Sequence, residues 1–222
     1  MRPGGLIFDF DGVLLESEFE GNRELAELLT ALGHEHTIAE TNRHYTGLSG
    51  ADFIAAIERR IGTQLPGEFH DRLRDRSRAA LRDGIAAVAG AVEFVRSLPP
   101  DLPRAVASSS STHWIRGHLK HLGLEQAFAD HIYSGREHVE RGKPQPDIYL
   151  HAAAMIHVPI HQCAILEDSV VGATGAVASG ARVIGLAAGS HCRDGHDQLL
   201  RDVGVRDIAY SFDDVRGLLD LG

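Results

Sequence analysis

An α/β fold is what this sequence predicts: a parallel sheet core with an all-helical unit inserted after the first strand. Three observations carry the expectation. Short apolar runs end abruptly in polar residues at Leu6–Asp9, Arg104–Ala107 and Cys163–Glu167, as buried parallel strands do where they open on a ligand crevice. After Gly84 such runs alternate with helical segments, the mark of βα units joined by right-handed crossovers. From about Glu18 to Leu81, apolar residues recur at three- and four-residue spacing and no strand-like run interrupts them, which reads as a small helical unit.

The first strand is Leu6–Asp9. In the helical stretch, Leu25, Leu28, Leu29 and Leu32 form one stripe ended by Gly33, and Phe53, Ile54, Ile57 and Ile61 form a second ended by Gly62. A third helix, rich in Arg and Asp, is expected over Glu68–Leu81. Later strands are expected at Arg104–Ala107, Ile132–Tyr133, Cys163–Glu167 and Arg182–Leu186, with a weaker one at Ile208–Tyr210. Helices are expected between them at Gly90–Ser97, Thr112–Leu122, Asp147–His157 and Val171–Ser179. The division that follows is a core of residues 1–15 and 85–222 and a helical unit of residues 16–84.

Composition narrows the class of partner. A net charge of −9 with no Lys/Arg-rich run argues against nucleic acid or an anionic membrane surface. An anionic small substrate remains compatible, because a bound cation reverses the local sign. No apolar stretch approaches a membrane span, and the first residues lack a signal-peptide pattern. A cytoplasmic protein, monomeric or a weak homodimer, is expected. Cys163 and Cys192 stand in unrelated settings and point to neither a disulfide framework nor a zinc site. The histidine pairs His34/His36 and His191/His196 lack a carboxylate at ligand spacing, so scattered surface or core histidines are the expectation.

Four polar segments carry chemistry. In Leu6-Ile7-Phe8-Asp9-Phe10-Asp11-Gly12 two carboxylates lie two residues apart at the end of a strand. They repel unless a cation or a shared proton relieves them, and oxygen ligands suit Mg²⁺. In Val106-Ala107-Ser108-Ser109-Ser110-Ser111-Thr112 a strand ends in hydroxyls where a helix begins; this suits a phosphate, an N-cap, or both with Ser108 on the ligand. Lys143 sits in the turn-like run Arg141-Gly142-Lys143-Pro144-Gln145-Pro146-Asp147, where Pro146 can start a helix. Ala164-Ile165-Leu166-Glu167-Asp168-Ser169 is a second apolar strand ending in paired acids. An acidic turn, a helix cap or a solvated lysine would explain each alone; together they supply Mg²⁺ ligands and clamps for a phosphoryl group. Neither a P-loop nor a dinucleotide-type glycine fingerprint is present.

The ordered set Asp9-Phe10-Asp11-Gly12-Val13, Ser108, Lys143-Pro144 and Glu167-Asp168 resembles the four motifs of the haloacid dehalogenase superfamily. Lys143-Pro144-Gln145-Pro146-Asp147 and Leu166-Glu167-Asp168-Ser169-Val170-Val171-Gly172 resemble its β-phosphoglucomutase-like branch, which also holds many sugar phosphatases. The resemblance implies a Rossmann-like core with a C1 helical cap and a Mg²⁺-dependent phosphatase acting on a small phosphorylated metabolite. It implies Asp9 as nucleophile, Asp11 as acid and then base, and Ser108, the Ser109 N–H and Lys143 as holders of the non-bridging oxygens. It implies a metal site of Asp9, the Asp11 carbonyl, Asp168 and Glu167, the last either direct or through water. Gly47 and Ser49, in Thr46-Gly47-Leu48-Ser49-Gly50, resemble a cap loop that touches substrate, although a helix–helix turn explains the same residues.

Two departures bear on activity. Where β-phosphoglucomutase has a cap histidine and a cap arginine that grips a second phosphate, this chain has Gly21 and Gly50. Transfer to water is then easier than mutase chemistry, so a phosphatase is favoured over a phosphosugar mutase. A phospho-accepting receiver and a hydrolytic dehalogenase are further readings, and Asp11 argues against both. The cap arginines Arg43, Arg59, Arg60, Arg72, Arg74, Arg76 and Arg78 are mostly expected to solvate helix faces.

Overall fold

The computed structural model describes residues 2–46, 48 and 50–221. Six parallel strands form one sheet: β1 (Gly5–Phe8), β2 (Arg104–Ser108), β3 (Ile132–Ser134), β4 (Cys163–Glu167), β5 (Arg182–Leu186) and β6 (Asp207–Ala209). Their order is β3-β2-β1-β4-β5-β6. The chain therefore builds outward from β1 to one side, then returns to build from β4 to the other. The switch point between β1 and β4 is where such a sheet opens a crevice at its carboxyl edge.

β1 is wholly buried because both of its faces are covered. Side chains alternate across the pleat. Leu6 and Phe8 enter one core layer, where Phe8 meets Phe128 edge-on at 5.6 Å between ring centroids. Ile7 enters the other layer with Ala105, Ile165 and Tyr149. In register, Ile7 lies between Ala105 of β2 and Ile165 of β4, which aligns the ends of the strands that carry Asp9, Ser108 and Glu167.

Helices α1 (Ser17–Ala31), α2 (Ile38–Tyr45), α3 (Gly50–Ile61) and α4 (Gly67–Asp83) follow β1. They share a core of Leu25, Leu29, Tyr45, Ile57, Leu65 and Phe69. The chain leaves and re-enters the sheet region side by side: Leu15 bridges Ala87, and Val88 N–H donates to the Leu14 carbonyl at 3.1 Å. The sheet is flanked by α5 (Ala91–Ser97), α6 (Thr112–Leu122), α7 (Glu125–Phe128), α8 (Asp147–Met155), α9 (Val170–Ala178), α10 (His196–Asp202) and α11 (Phe212–Leu218). No helix among the described residues is long and apolar enough to cross a membrane.

β4 and β5 have the expected bounds, the other four strands differ from the sequence expectation by one residue at one or both ends, and α8 stops at Met155 rather than His157. Helices α2, α7, α10 and α11 are not anticipated individually. α2 is marked by a capping box, in which Glu40 N–H donates to Thr37 Oγ1 at 3.2 Å and Thr37 N–H to Glu40 Oε2 at 2.9 Å. α11 is capped by Ser211, which accepts from Asp214 N–H at 3.1 Å.

Gly172, in the first turn of α9, lets that helix lie against the end of β4; a Cβ there would collide with the Glu167 carboxylate. Alanine in a helix is worth about 1 kcal/mol over glycine, so Gly172→Ala would stabilise the protein if the helix alone decided. We expect the opposite, a loss of about 1–3 kcal/mol from overpacking, or several degrees in Tm. Thermal unfolding by circular dichroism checks it, and an unchanged or raised Tm would contradict this packing.

Candidate active site

β1 is followed directly by Asp9, whose N–H donates to the Leu166 carbonyl of β4 at 3.0 Å, so the two strand ends are fastened together. Gly12 adopts φ +81°, and a Cβ there would collide with the Asp168 carboxylate. A glycine is thus required for the turn after Asp11 to pass so close to the β4 acids. The loop after β3 delivers Lys143, whose Nζ donates to Asp9 Oδ1 at 2.7 Å and to Glu167 Oε1 at 2.5 Å. The Lys143 side chain is only 3% exposed.

Burial pushes the Asp9 carboxyl well above its ordinary range, the Glu167 charge adds to the rise, and Lys143 opposes it. Asp168 is raised for the same two reasons, burial first and Glu167 second. Burial alone would lower Lys143, but Asp9 and Glu167 outweigh it and hold the ammonium above its usual value. Tyr149 is raised by burial and by Glu167, to whose Oε1 it donates at 2.5 Å.

The carboxylates of Asp9, Glu167 and Asp168 offer oxygens within 4.8 Å of one another, all buried, with Lys143 as the cation that bridges two of them. They differ in how they are satisfied. Glu167 accepts from Lys143, Tyr149 and, through Oε2, from Ser169 Oγ at 3.2 Å and Ser169 N–H at 3.3 Å. Neither Asp168 oxygen has an aligned hydrogen-bond partner among the described residues, although His191 Nε2 stands 2.8 Å from Oδ2. Buried oxygens without donors beside a second carboxylate are what a cation relieves, and an all-oxygen donor set fits Mg²⁺.

Asp11 belongs to a different network. Its Oδ1 accepts from Ser17 Oγ at 2.7 Å and Trp114 Nε1 at 3.1 Å, and its Oδ2 accepts from Ser110 Oγ at 2.6 Å. Ser108, buried at the end of β2, accepts from Ser110 N–H at 3.0 Å. Ser111 caps α6 by accepting from Trp114 N–H at 3.3 Å, the division of labour between ligand and cap that the serine run allows. Ser17, Ser110 and Trp114 were not singled out in the sequence; a lone tryptophan three residues past the cap carries no signal of its own.

These groups face a cavity of about 1390 Å³ between the sheet edge and the helical unit, lined by Asp9, Asp11, Ser108, Ser109 and Lys143 from the core side and by residues of α1, α3 and α4 from the other. Gly47 and Ser49, expected to touch substrate, lie outside the described residues. Glu18 of α1 lines the cavity half-buried, and burial, with Asp168 and then Asp11 adding to it, pushes its carboxyl up to about 7. Most cap arginines do solvate helix faces: Arg72 pairs with Glu68, Arg74 with Asp71, Arg78 with Asp75 and Arg60 with Glu40.

The histidine expectation needs correction. His191 and His196 are not scattered: besides the Asp168 approach of His191, His196 Nε2 lies 2.6 Å from the Asp168 carbonyl. With Cys192 they form a ligand-type cluster. The turn after β5 folds back over the end of β4, a contact that no spacing along the chain reports. Cys163 is buried at the start of β4, as expected of a small core residue.

The family model for haloacid dehalogenase-like hydrolases matches residues 4–180. Fructose-1-phosphate phosphatase YqaB of Escherichia coli is 30% identical over 183 residues, 81% of this chain and 94% of that protein. Hexitol phosphatase A of Escherichia coli is 28% identical over 200 residues, 85% of each chain. A HAD family hydrolase from Deinococcus radiodurans, solved with bound phosphate and sodium, superposes with a TM-score of 0.80 at 29% identity, covering 99% of this chain and 96% of that one.

Glu18 sets a pH signature for the metal-free protein. Its folded-state pKa of about 7 lies above the ordinary 4.5, so across that window the folded state holds a proton that the unfolded chain releases. Stability is then fully present below the unfolded value and is lost as pH rises through the folded one. In EDTA, urea midpoints should fall between pH 5 and 7.5, and Glu18→Gln should fall less steeply; equal slopes would contradict the assignment.

Proposed function

Because the chain belongs to the haloacid dehalogenase-like hydrolases, we propose that it is a Mg²⁺-dependent phosphatase that hydrolyses a sugar or sugar-acid phosphate through an aspartyl-phosphate on Asp9. The observation that carries the reading is the buried cluster of Asp9, Glu167 and Asp168 around Lys143 at the switch point of the sheet. The phosphatase relatives and the phosphate-bearing structure support it.

Asp9, Asp168 and the Asp11 carbonyl would hold the metal, while Glu167, satisfied by Lys143, Tyr149 and Ser169, orients the lysine beside it. Bound Mg²⁺ would keep Asp9 ionised and neutralise charge on the transferring group. Asp9 attacks phosphorus and the bond to the leaving oxygen breaks, with Asp11 supplying the proton to that oxygen. Asp11 then takes a proton from the water that attacks the aspartyl-phosphate, and phosphate departs. Its bonds from Ser17, Ser110 and Trp114 hold the carboxylate ready for this second half. Ser108, the Ser109 N–H and Lys143 hold the non-bridging oxygens, contacts worth roughly 3–4 kcal/mol each in the transition state. The helical unit of residues 16–84 acts as the cap. The cavity exceeds the roughly 300–1,000 Å³ of a ligand pocket, and closure of the cap over it excludes water.

One observation keeps phosphosugar mutase chemistry in view: the Arg136 guanidinium lies beside Gly50, a cation where a second phosphate could be held. Glucose 6-phosphate formed from β-glucose 1-phosphate without phosphate release would establish it.

Inorganic phosphate release from a panel of sugar phosphates should require Mg²⁺, vanish in EDTA and vanish in Asp9→Asn. Acid quenching during turnover of a substrate carrying labelled phosphate should leave label on the wild-type protein and none on Asp9→Asn. Asp11→Asn should slow turnover by roughly 10²–10⁴-fold, the usual worth of a general acid–base. Release that survives Asp9→Asn would refute the covalent route.

A further inference from the structure

We propose that His191, Cys192 and His196 form a second metal site, selective for a thiophilic dication such as Zn²⁺, that draws on Asp168 as a shared ligand. The sharing rests on the phosphatase reading, which gives Asp168 to Mg²⁺; the three new ligands do not depend on it.

One turn gathers these side chains between β5 and α10. Cys192 N–H donates to the Gly189 carbonyl and His196 N–H to the Arg193 carbonyl, both at 2.9 Å. Each of the three residues thereby offers a ligand atom, and these atoms lie within 4.8 Å of one another. The turn is also pinned to the helical unit and its approach. Ser190 N–H donates to Glu16 Oε1 at 3.1 Å, and Asn42 Nδ2 donates to the His191 carbonyl at 2.9 Å. The Arg193 guanidinium lies over the Phe19 ring, 5.5 Å from its centroid. The ligands are therefore held in place before a cation arrives, which lowers the ordering cost of binding.

The distances suit zinc. Cys192 Sγ lies 3.5 Å from His191 Nε2. A tetrahedral ion with Zn–S of about 2.3 Å and Zn–N of about 2.0–2.1 Å holds sulfur and nitrogen about 3.5 Å apart, so this pair already spans one edge of the tetrahedron. His196 Nε2 lies 2.6 Å from the Asp168 carbonyl. A carbonyl only accepts, so Nε2 carries the proton and Nδ1 the lone pair. Metal-bound histidines are commonly fixed in this way, with the other ring nitrogen donating to a carbonyl or carboxylate. Asp168 Oδ2 stands 2.8 Å from His191 Nε2 without an aligned hydrogen bond, from where a carboxylate oxygen completes the coordination.

Donor chemistry sorts the two sites. Imidazole nitrogen and thiolate sulfur select Zn²⁺ or Co²⁺, whereas the oxygens of Asp9, Glu167 and Asp168 suit Mg²⁺. On binding, the Cys192 S–H bond breaks, a metal–sulfur bond forms and the thiol proton leaves to solvent. Zinc at this turn takes one oxygen of Asp168 and sets a second positive charge beside the carboxylate cluster. Both effects weaken Mg²⁺, and by linkage Mg²⁺ weakens zinc by the same factor. The site is thus an inhibitory one, read through a carboxylate that both cations need.

The test is spectroscopic. Co²⁺ titrated into the reduced, metal-free protein should give a thiolate-to-cobalt charge-transfer band in the near ultraviolet, abolished by added Zn²⁺. The band should vanish in Cys192→Ser, persist in Cys163→Ala, and need at least about tenfold more Co²⁺ in His196→Gln. Cobalt held by the oxygens of Asp9, Glu167 and Asp168 gives no such band, so the two sites are told apart directly. No band in the wild type, or a band that survives Cys192→Ser, would overturn the proposal. Calorimetric titration of Mg²⁺ tests the sharing. One equivalent of Zn²⁺ should weaken Mg²⁺ binding roughly 5–150-fold in the wild type, the usual span of such coupling, and leave it unchanged in Cys192→Ser. Mg²⁺ affinity indifferent to zinc in the wild type would overturn the shared carboxylate. The band is read without substrate: a protein that shows it yet releases no phosphate would keep the metal site and sink the phosphatase.

Discussion

Three buried carboxylates and one buried ammonium do not balance, and that deficit organises the site. Asp9, Glu167 and Asp168 converge where β1 and β4 end, and Lys143 reaches two of them. A buried ion pair contributes little net stability once desolvation is charged against it, and removing one partner is expensive. The cluster is therefore better understood as an apparatus held under electrostatic tension, which a divalent cation would release. The uneven satisfaction of the acids fits this view. Glu167 is surrounded by donors, Lys143 among them, whereas Asp168 has no aligned donor among the described residues, the environment that a bound cation would relieve.

The rest of the fold makes that convergence possible. Register across β1, β2 and β4 aligns the strand ends. Gly12 and Gly172 remove the atoms that would strike Asp168 and Glu167. Asp11, two residues past Asp9, is drawn out of the cluster by Ser17, Ser110 and Trp114. Two carboxylates close in sequence thereby receive opposite environments, one pressed against a lysine and one hydrogen-bonded at the cavity edge, the separation that acid–base and nucleophilic roles require.

Much of this was legible in the chain. Apolar strands that end in acids, serines or a lysine loop foretold the sheet and the residues at its carboxyl edge, because strand burial and polar termination both leave a local pattern. What escaped is long-range. His191 and His196 reach Asp168 through a turn that folds over β4, and Trp114 reaches Asp11 across the crevice. Nothing in spacing reports such contacts. Gly21 and Gly50 could be read only as missing groups; the structure shows arginines from distant segments lying over both. The helices α10 and α11 are seven residues each, too short to show a periodicity.

The most direct test of this charge arrangement is calorimetric titration of Mg²⁺ into the wild type, Asp168→Asn and Glu167→Gln. A single site that is lost in Asp168→Asn and weakened but retained in Glu167→Gln is what the arrangement requires. Mg²⁺ bound by Asp168→Asn as tightly as by the wild type would show that the cation is held elsewhere and that the carboxylate cluster is not its site.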